Sequence, residues 1–401
     1  MNRVSSLSAF NSGLDELQRR QSSLARAQEQ LTSGKRVVRA SDDPTAAARA
    51  ERALATVARS DANQRALDAS RNAMALAESA LGDAGSLLQD ARQTIVSAGN
   101  PTYSSAERAS LASHLSDLRE QLLAIANRGD GAGGFLFSGQ GTSTSPFSSG
   151  PGGVSYEGNS GEQMVASETP MPLTVDGRAA WMSAKTGNGL FVTKPGSPPS
   201  QQAWIDAGQV LDPASLTDAD YQIQFTSPTT LTITRSATGN TPAATFTGVS
   251  FVTGKAVEID GMSFKINGNP QSGDSFSIGP STPTMSVFQA LDTAIAGLTA
   301  LGQTNAQISQ TVSSGLRDVD SAMSTLQGVQ ARVGSLLTGA DQAESRISDL
   351  KLYGQKERSA AEDLDMSAAI SDFQNQQTGY QAALRSYASV QKMSLFDFIN
   401  G

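Results

Sequence analysis

Apolar residues recur with a heptad spacing near the start of the chain, and polar glutamines occupy two positions of the repeat. The apolar positions are Phe10, Leu14, Leu17, Leu24 and Leu31. A period of about 3.5 residues is typical of helices that pack together in a coiled coil or a bundle. The pattern therefore predicts an amphipathic N-terminal helix that packs against another helix.

Four later stretches carry the same repeat, two before and two after the middle of the chain. Their apolar positions are Leu67, Met74, Leu81, Leu88 and Ile95, then Leu111, Leu115, Leu118, Leu122 and Ile125, then Val312, Leu316, Val319, Met323, Leu326, Val333, Leu337, Ala340 and Ile347, and then Met366, Ile370, Phe373, Tyr380, Leu384, Tyr387 and Phe398. They predict a long helical bundle formed by both ends of the chain. Segment 284–352 holds no proline, so we expect one continuous helix there, on the order of 100 Å long, in a rod.

The middle of the chain lacks this repeat and holds 13 of the 15 prolines, between Pro146 and Pro283. Proline loses an N–H and clashes with the preceding turn, so helices exclude it from their interiors. Short alternating, β-branched stretches predict strands at residues 221–225, 231–234, 245–252, 257–260, 262–266 and 275–278. Asp260 and Gly261 predict a tight hairpin turn, while the Gly/Ser/Pro-rich segments 138–153 and 194–201 predict linkers.

The sequence TSGKRVVRASDDP predicts an interruption of the first helical region. Gly34 can take the left-handed conformation that ends a helix. Asp43 can cap the next helix, with Pro44 at its first position, where no N–H is required. A second break is predicted at Asn100 and Pro101.

Charge differs between the two ends of the chain. Residues 1–40 hold seven basic and three acidic residues, a net charge of +4, while residues 357–401 hold three basic and six acidic residues, a net charge of −3. Amphipathic segments of opposite charge predict that the termini pair with each other and also across subunits.

The composition excludes several kinds of chemistry. The absence of cysteine excludes disulfides, thiolate metal sites and cysteine nucleophiles, and His114 is the only histidine. The formal charge of −8 without a basic tract argues against a nucleic-acid partner. No apolar run approaches the ~18 residues of a membrane span, and the N-terminus lacks the apolar core of a signal peptide.

Four fragments resemble known sites, but each lacks a required part. The glycines of 129–134 follow a predicted helix rather than a strand, so they indicate a helix terminus. Segment 248–256 has the wrong glycine spacing for a phosphate loop, segment 273–275 lacks a catalytic base, and segment 218–220 lacks the glycine of a calcium loop. The residues therefore predict an assembly protein with no catalytic, cofactor or metal site, whose terminal helices pack against copies or partners.

Segment 31–50, LTSGKRVVRASDDPTAAARA, resembles the N-terminal signature of the bacterial flagellin family. Segments 95–139 and 367–399 resemble more closely the hook–filament junction members of that family, the third hook-associated proteins of the FlgL type. The resemblance covers both helical ends, which make up over half the chain. Its motif residues at the helix break are Gly34, Lys35, Arg36, Ser41, Asp42, Asp43 and Pro44.

The resemblance implies a mainly α, flagellin-like fold, with a long bundle or coiled coil formed by both chain ends and an inserted β-rich central domain. Residues 1–43 and 357–401 would form a terminal coiled-coil assembly domain that is disordered in the free monomer. Residues 44–139 and 284–356 would form a helical rod, and residues 140–283 an outward-facing β-rich domain. The implied assembly interface comprises Leu7, Phe10, Leu14, Leu17, Leu24, Leu31, Ile370, Phe373, Tyr380, Leu384, Tyr387, Leu395, Phe396 and Phe398.

The resemblance also implies a function without catalysis, cofactor or metal. The chain would form a homo-oligomeric ring that joins the first hook-associated protein, of the FlgK type, to the flagellin filament. The flagellar type III system would export it without a cleaved signal peptide, after a cytosolic chaperone of the FlgN type has bound its C-terminal helix. The nearest alternative is flagellin itself, and a third is a glycan-binding or hydrolytic middle domain.

Overall fold

The computed structural model describes residues 6–142, 144–165, 171–239 and 241–399, and it describes the side chains of residues 11–389 within those ranges. These residues form seven α-helices, which are α1 Ser6–Ser33, α2 Pro44–Ala98, α3 Ser105–Ala126, α4 Gly177–Trp181, α5 Val287–Thr299, α6 Asn305–Glu362 and α7 Met366–Ile399. The chain divides into two compact units, Met1–Arg65 with Ala343–Gly401, and Ala66–Gln342. The predicted helical ends with a β-rich middle are confirmed.

The prediction of one continuous helix over 284–352 was wrong, because α5 ends at Thr299 and α6 begins at Asn305. Gly302 lies between them with φ of 71°, in the left-handed region. Thr304 accepts the N–H of Gln307, whose side-chain oxygen accepts the N–H of Thr304. This reciprocal cap starts a new helix in a segment where the absence of proline had suggested none.

The helices of the unit Ala66–Gln342 share one hydrophobic core. Predicted heptad positions such as Leu67, Leu81 and Leu88 are at most 2% exposed. Fully buried alanines such as Ala77 and Ala84 lie between them, and their small side chains allow neighbouring helices to approach closely. The heptad pattern of α2 therefore reports its buried face correctly.

An aromatic cluster joins the segment after α3 to this helical core. Trp181 of α4 stacks on Phe288 of α5 with ring centroids 5.7 Å apart, and Phe137 meets Trp181 edge-on at 5.5 Å. Phe147, at the start of the first strand, lies 6.1 Å from Phe288. Leu136, Phe137, Trp181 and Ala184 thus belong to the core of the helices rather than to the core of the sheets.

Eleven strands form within the described residues, all in antiparallel pairs. They are β1 Phe147–Gly150, β2 Gly153–Tyr156, β3 Phe191–Pro195, β4 Ala203–Ile205, β5 Gln209–Val210, β6 Tyr221–Ser227, β7 Thr230–Arg235, β8 Ala244–Ser250, β9 Ala256–Ile259, β10 Met262–Gly268 and β11 Ser275–Pro280. One sheet has the order β3-β11-β6-β7-β8, and a second has β4-β10-β5 with β9 paired to β10. Both enclose a separate hydrophobic core that includes Phe225, Phe264 and Phe276.

The six predicted strands β6 to β11 are confirmed, with ends shifted by one or two residues. The hairpin turn is also confirmed, because Asp260 and Gly261 connect β9 to β10 with φ of 43° and 76°. The linker prediction for 138–153 was wrong, because β1 and the start of β2 lie in it and pair as a hairpin. Segment 194–201 begins inside β3, whose Phe191 and Val192 are buried.

Candidate assembly surface and junction loop

Helices α1 and α7 pack against each other in an antiparallel arrangement. The ring of Tyr387 lies over Gly13, close enough that an added Cβ would be 3.4 Å from the ring. The guanidinium of Arg20 similarly lies over Gly379, at 2.9 Å from the position of an added Cβ. Residue numbers increase along α1 from Gly13 to Arg20 while those of their partners on α7 decrease from Tyr387 to Gly379, so the two helices are antiparallel. The predicted pairing of the two terminal segments is thus present within one subunit.

The apolar stripes on these helices are incompletely covered within the subunit. Leu14, Ile370 and Leu384 keep exposed fractions of 40%, 46% and 42%, and Met366 keeps 47%. Among the described side chains of α1 and α7, none is fully buried. The pair of helices therefore presents apolar surface that packing between α1 and α7 alone leaves in water.

The remaining predicted interface residues divide into two groups. Half-buried side chains in the described part are Leu17, Leu24, Leu31, Phe373, Tyr380 and Tyr387. The side chains of Leu7, Phe10, Leu395, Phe396 and Phe398 lie outside the described residues. The structure thus places the described members on one helix pair, and their role in assembly stays a prediction.

The residues between α1 and α2, numbers 34–43, form a loop that we call the junction loop. Gly34 ends α1 with φ of 70° and donates its N–H to the carbonyl of Gln30 at 2.9 Å. The side chain of Gln30 bonds to the carbonyl of Arg36 at 2.8 Å, which draws the loop back along α1. The left-handed helix end predicted at this glycine is confirmed.

The junction loop is attached to the C-terminal end of α6 and to Leu364, which follows it. Arg36 donates from its backbone N–H to the carbonyl of Glu362 at 2.7 Å, and from Nη2 to the carbonyl of Ala361 at 2.7 Å. Lys35 Nζ lies 3.2 Å from the Glu362 carboxylate, and Leu364 donates its N–H to Gly34 at 3.0 Å. Two cations thus satisfy groups at the C-terminal end of α6, where positive charge is favourable.

Asp43 caps α2, as the sequence predicts. Its Oδ1 accepts the backbone N–H of Ala46 at 3.0 Å and the hydroxyl of Thr45 at 2.8 Å, and Arg36 Nη1 lies 3.3 Å from Oδ2. These bonds, that of the Ala46 N–H first, lower the pKa of Asp43 from 3.8 to about 2. The carboxylate is therefore ionised at neutral pH, which is the charge state that accepts the N–H groups at the start of α2.

The other motif residues complete the loop. Asp42 accepts the backbone N–H of Arg39 at 2.8 Å and that of Val38 at 3.2 Å, which closes a turn. Ser41 is exposed, and Pro44 is the first residue of α2. What the sequence did not reveal is that Arg36 bonds to Ala361, because a separation of 325 residues leaves no local signal.

The fragments that resemble chemical sites form turns and strand ends. Asp130 accepts the N–H groups of Ala132 and Gly134 in the turn after α3, and Asp274 binds the Ser200 hydroxyl at 2.7 Å. His114 is exposed on α3. Within the described residues no group of three or more His, Cys, Asp or Glu side chains could hold a metal. A search of the same residues finds no helix long and apolar enough to cross a membrane.

Two family descriptions match parts of the chain. Residues 4–142 match the bacterial flagellin N-terminal helical region. Residues 199–280, which contain β4 to β11, match the D2-like domain of flagellar hook-associated protein 1. The first match covers α1, the junction loop, α2 and α3, and the second covers most of the two larger sheets.

Relatives align along nearly the whole chain. Flagellar hook-associated protein 3 of Salmonella typhimurium is 26% identical over 98% of this chain and 98% of its own length. The Escherichia coli protein of the same name is 26% identical over 92% and 90%. The crystal structure of FlgL from Xanthomonas campestris is 28% identical, with a TM-score of 0.67, over 77% of this chain and 99% of that one. The flagellar junction protein FlgL from Legionella pneumophila is 26% identical, with a TM-score of 0.66, over 79% and 100%.

Proposed function

Because the chain belongs to the hook-associated protein 3 family of flagellar proteins, we propose that it is a structural subunit joining the hook of a bacterial flagellum to the flagellin filament. The observation that carries the proposal is the alignment with a hook-associated protein 3 over 98% of both chains. This alignment includes the helical ends and the β-rich middle together. The function therefore follows from the whole chain and not from one shared segment.

The alternative, that the chain is flagellin, is disfavoured by its middle region. The match of residues 4–142 to the flagellin N-terminal helical region does not separate the two, because junction proteins and flagellins share that region. The match of residues 199–280 is to a domain of a hook-associated protein. The β-rich middle thus agrees with the full-length relatives in supporting a junction subunit.

The subunit would assemble through the apolar stripes of α1 and α7. Leu14, Ile370 and Leu384 keep 40–46% of their surface exposed, and removing such apolar surface from water favours association. The opposite net charges of residues 1–40 and 357–401 would favour contact between the N-terminal segment of one copy and the C-terminal segment of the next. Such contacts would close into a homo-oligomeric ring.

The first hook-associated protein and flagellin would be the neighbours of this ring. A subunit with uncovered helices also needs protection before it assembles, which supports binding of α7 by a cytosolic export chaperone. Export would follow the flagellar type III route to an extracellular position in the flagellum. No catalytic step forms part of this function.

The domain organisation proposed for the assembled subunit has three parts. Residues 1–43 and 357–401 would form the terminal assembly domain, residues 44–139 and 284–356 the helical rod, and residues 140–283 the outward-facing domain. The separate hydrophobic core of the sheets supports an independent outer part, centred on residues 191–278. Because Phe147, Trp181 and Ala184 belong to the core of the helices, we propose that the outward-facing part begins after residue 184 rather than at residue 140.

Electron microscopy of hook–filament junctions tests the proposal. A strain that lacks this chain is expected to produce hooks without attached filaments, and restoring the chain should restore the junction. The purified chain, added to filament seeds, should stop at short or ring-like oligomers. Long filaments grown from this chain alone would instead identify it as a filament subunit and overturn the proposal.

A further inference from the structure

A polar groove of about 740 Å³ lies in the unit Ala66–Gln342, outside the terminal helices. Its first wall is the face of α6 that carries Ser313, Arg317 and Ser324, next to Arg92 of α2. Its second wall consists of the turns at 187–189 and 206–208, with Lys185 and β10 beside them. The volume falls within the range of small-molecule sites, about 300–1,000 Å³.

The groove is electropositive in a chain with a formal charge of −8. Four basic side chains and two carboxylates line it, and with Asp318, the ion-pair partner of Arg317, the local net charge is +1; the lining groups are Arg92, Lys185, Lys265 and Arg317 against Asp206 and Asp320. A concave surface with charges of one sign concentrates the field and attracts ions of the other sign. The excess of positive charge therefore favours binding of an anion in the groove.

The carboxylates and the arginines are already engaged. Arg92 Nε lies 2.7 Å from Asp320, and Arg317 Nε lies 2.9 Å from Asp318. Asp206 accepts the backbone N–H groups of Gly208 at 3.0 Å and Lys265 at 2.9 Å. These groups form the frame of the groove and leave its lysines as the charge available to a ligand.

Lys185 and Lys265 are both exposed, and among the described residues neither ammonium group has an ion-pair partner. Each ammonium offers three donors and no acceptor. The hydroxyls of Ser313 and Ser324 on the opposite wall can add neutral hydrogen bonds. This set of donors fits a ligand with several negatively charged oxygens.

The wall that carries these lysines is held in place by two glycine turns. Asn188 accepts the N–H groups of Leu190 and Phe191, and its side-chain amide reaches the carbonyl of Gly208 at 3.4 Å. Gly208 has φ of 67°, and an added Cβ would lie 2.7 Å from the ring of Phe191. Because these turns are closed by their own bonds, the groove exists before any ligand enters it.

We propose that this groove binds a small multivalent anion carrying carboxylate or phosphate groups, with Lys185 and Lys265 as its charged contacts. The inference does not rest on the junction function, because no residue of α1 or α7 lines the groove. It adds a ligand site to a subunit whose proposed role is structural.

Isothermal titration calorimetry of the full chain at pH 7 and low ionic strength tests the proposal, with citrate and inorganic phosphate as separate probes. Saturable binding of one anion per chain is expected for at least one probe, and comparison of the two identifies the preferred oxyanion. The double variant Lys185→Ala/Lys265→Ala should bind at least about tenfold more weakly, because each lost contact is charge-assisted. Circular dichroism should show that the variant is folded, since both lysines are exposed.

Lys255→Ala is the matched control, because Lys255 is an exposed lysine of the same β-rich region outside the groove. Its affinity for the anion should stay within about twofold of that of the unaltered chain. The fluorescence of Trp204, two residues before Asp206 of the groove, gives a second measurement of binding. Absence of saturable binding for both probes overturns the proposal. So does an equal loss of affinity in Lys255→Ala and in the double variant, which would show an adventitious ion only.

Discussion

At the scale of single residues, Asp43 determines how the start of α2 responds to pH. Its pKa is about 2 in the folded chain, below the ordinary 3.8. A lowered folded pKa adds stability above the unfolded pKa, and that stability is lost as the pH falls from about 4 through about 2. We expect Asp43→Ala to lower the thermal midpoint at pH 7, and the difference from the unaltered chain to shrink towards pH 2.

Glu51→Ala provides the control for this measurement, because Glu51 is an exposed carboxylate farther along the same helix. Circular dichroism at 222 nm, followed on heating at several pH values, would give both midpoints. The Glu51 variant should follow the unaltered chain at every pH. A difference at pH 7 that stays constant down to pH 2 would contradict the assigned role of the Asp43 carboxylate.

A second residue-scale prediction concerns Leu384, which is 42% exposed on α7. Leu384→Asp should leave the free subunit folded, because the new carboxylate can remain hydrated there. In the ring the same charge would be buried without a partner, at a cost of several kcal/mol, so incorporation should fall by more than about a hundredfold. Leu17→Asp should act in the same way.

Gln381→Asp is the matched control for Leu384→Asp, since it adds the same charge to an exposed position of α7 outside the predicted stripe. Quantitative immunolabelling of isolated junctions would measure incorporation. Equal incorporation of the two variants would remove Leu384 from the assembly interface.

At the scale of elements, the sequence predicted the helices and strands whose apolar residues recur at a regular spacing. The heptad positions from Met366 to Phe398 lie on α7, and β-branched alternation predicted β6 to β11, because both signals repeat over many residues. Strands β3, β4 and β5 were missed, since they hold five, three and two residues and lie among prolines and glycines. Their pairing partners β10 and β11 are distant in sequence, which local composition does not report.

The end of α1 gives an element-scale prediction. Gly34 has φ of 70°, where a Cβ is strained even though an added one would meet nothing within 4 Å. Gly34→Ala should therefore destabilise the α1 end by about 1–2 kcal/mol, and limited proteolysis should cut the junction loop faster. Gly339→Ala, inside α6 with equally open surroundings, should stabilise its helix by up to about 1 kcal/mol. Equal effects of the two changes would show that backbone strain does not govern the loop.

At the scale of the whole molecule, the sequence predicted the members of the candidate site better than their contacts. Gly34, Asp43 and Pro44 have the predicted roles, because capping depends on neighbours within three residues. The contacts of Arg36 with Ala361 and of Lys35 with Glu362 join the two ends of the chain. Opposite end charges predicted that the ends pair, but which atoms meet is decided only by the folded backbone.

Deletion of residues 367–401 tests whether ring assembly and chaperone binding depend on α7. The hydrophobic cores of the unit Ala66–Gln342 contain no residue of α7, so the truncated chain should keep this unit folded. The near-ultraviolet circular dichroism of Trp181 and Trp204, which both lie in that unit, should be unchanged. Incorporation into the ring and chaperone binding should be lost, because the deletion removes the partner of α1 and one apolar stripe. Rings that still contain the truncated chain in electron micrographs would show that assembly depends on other surfaces.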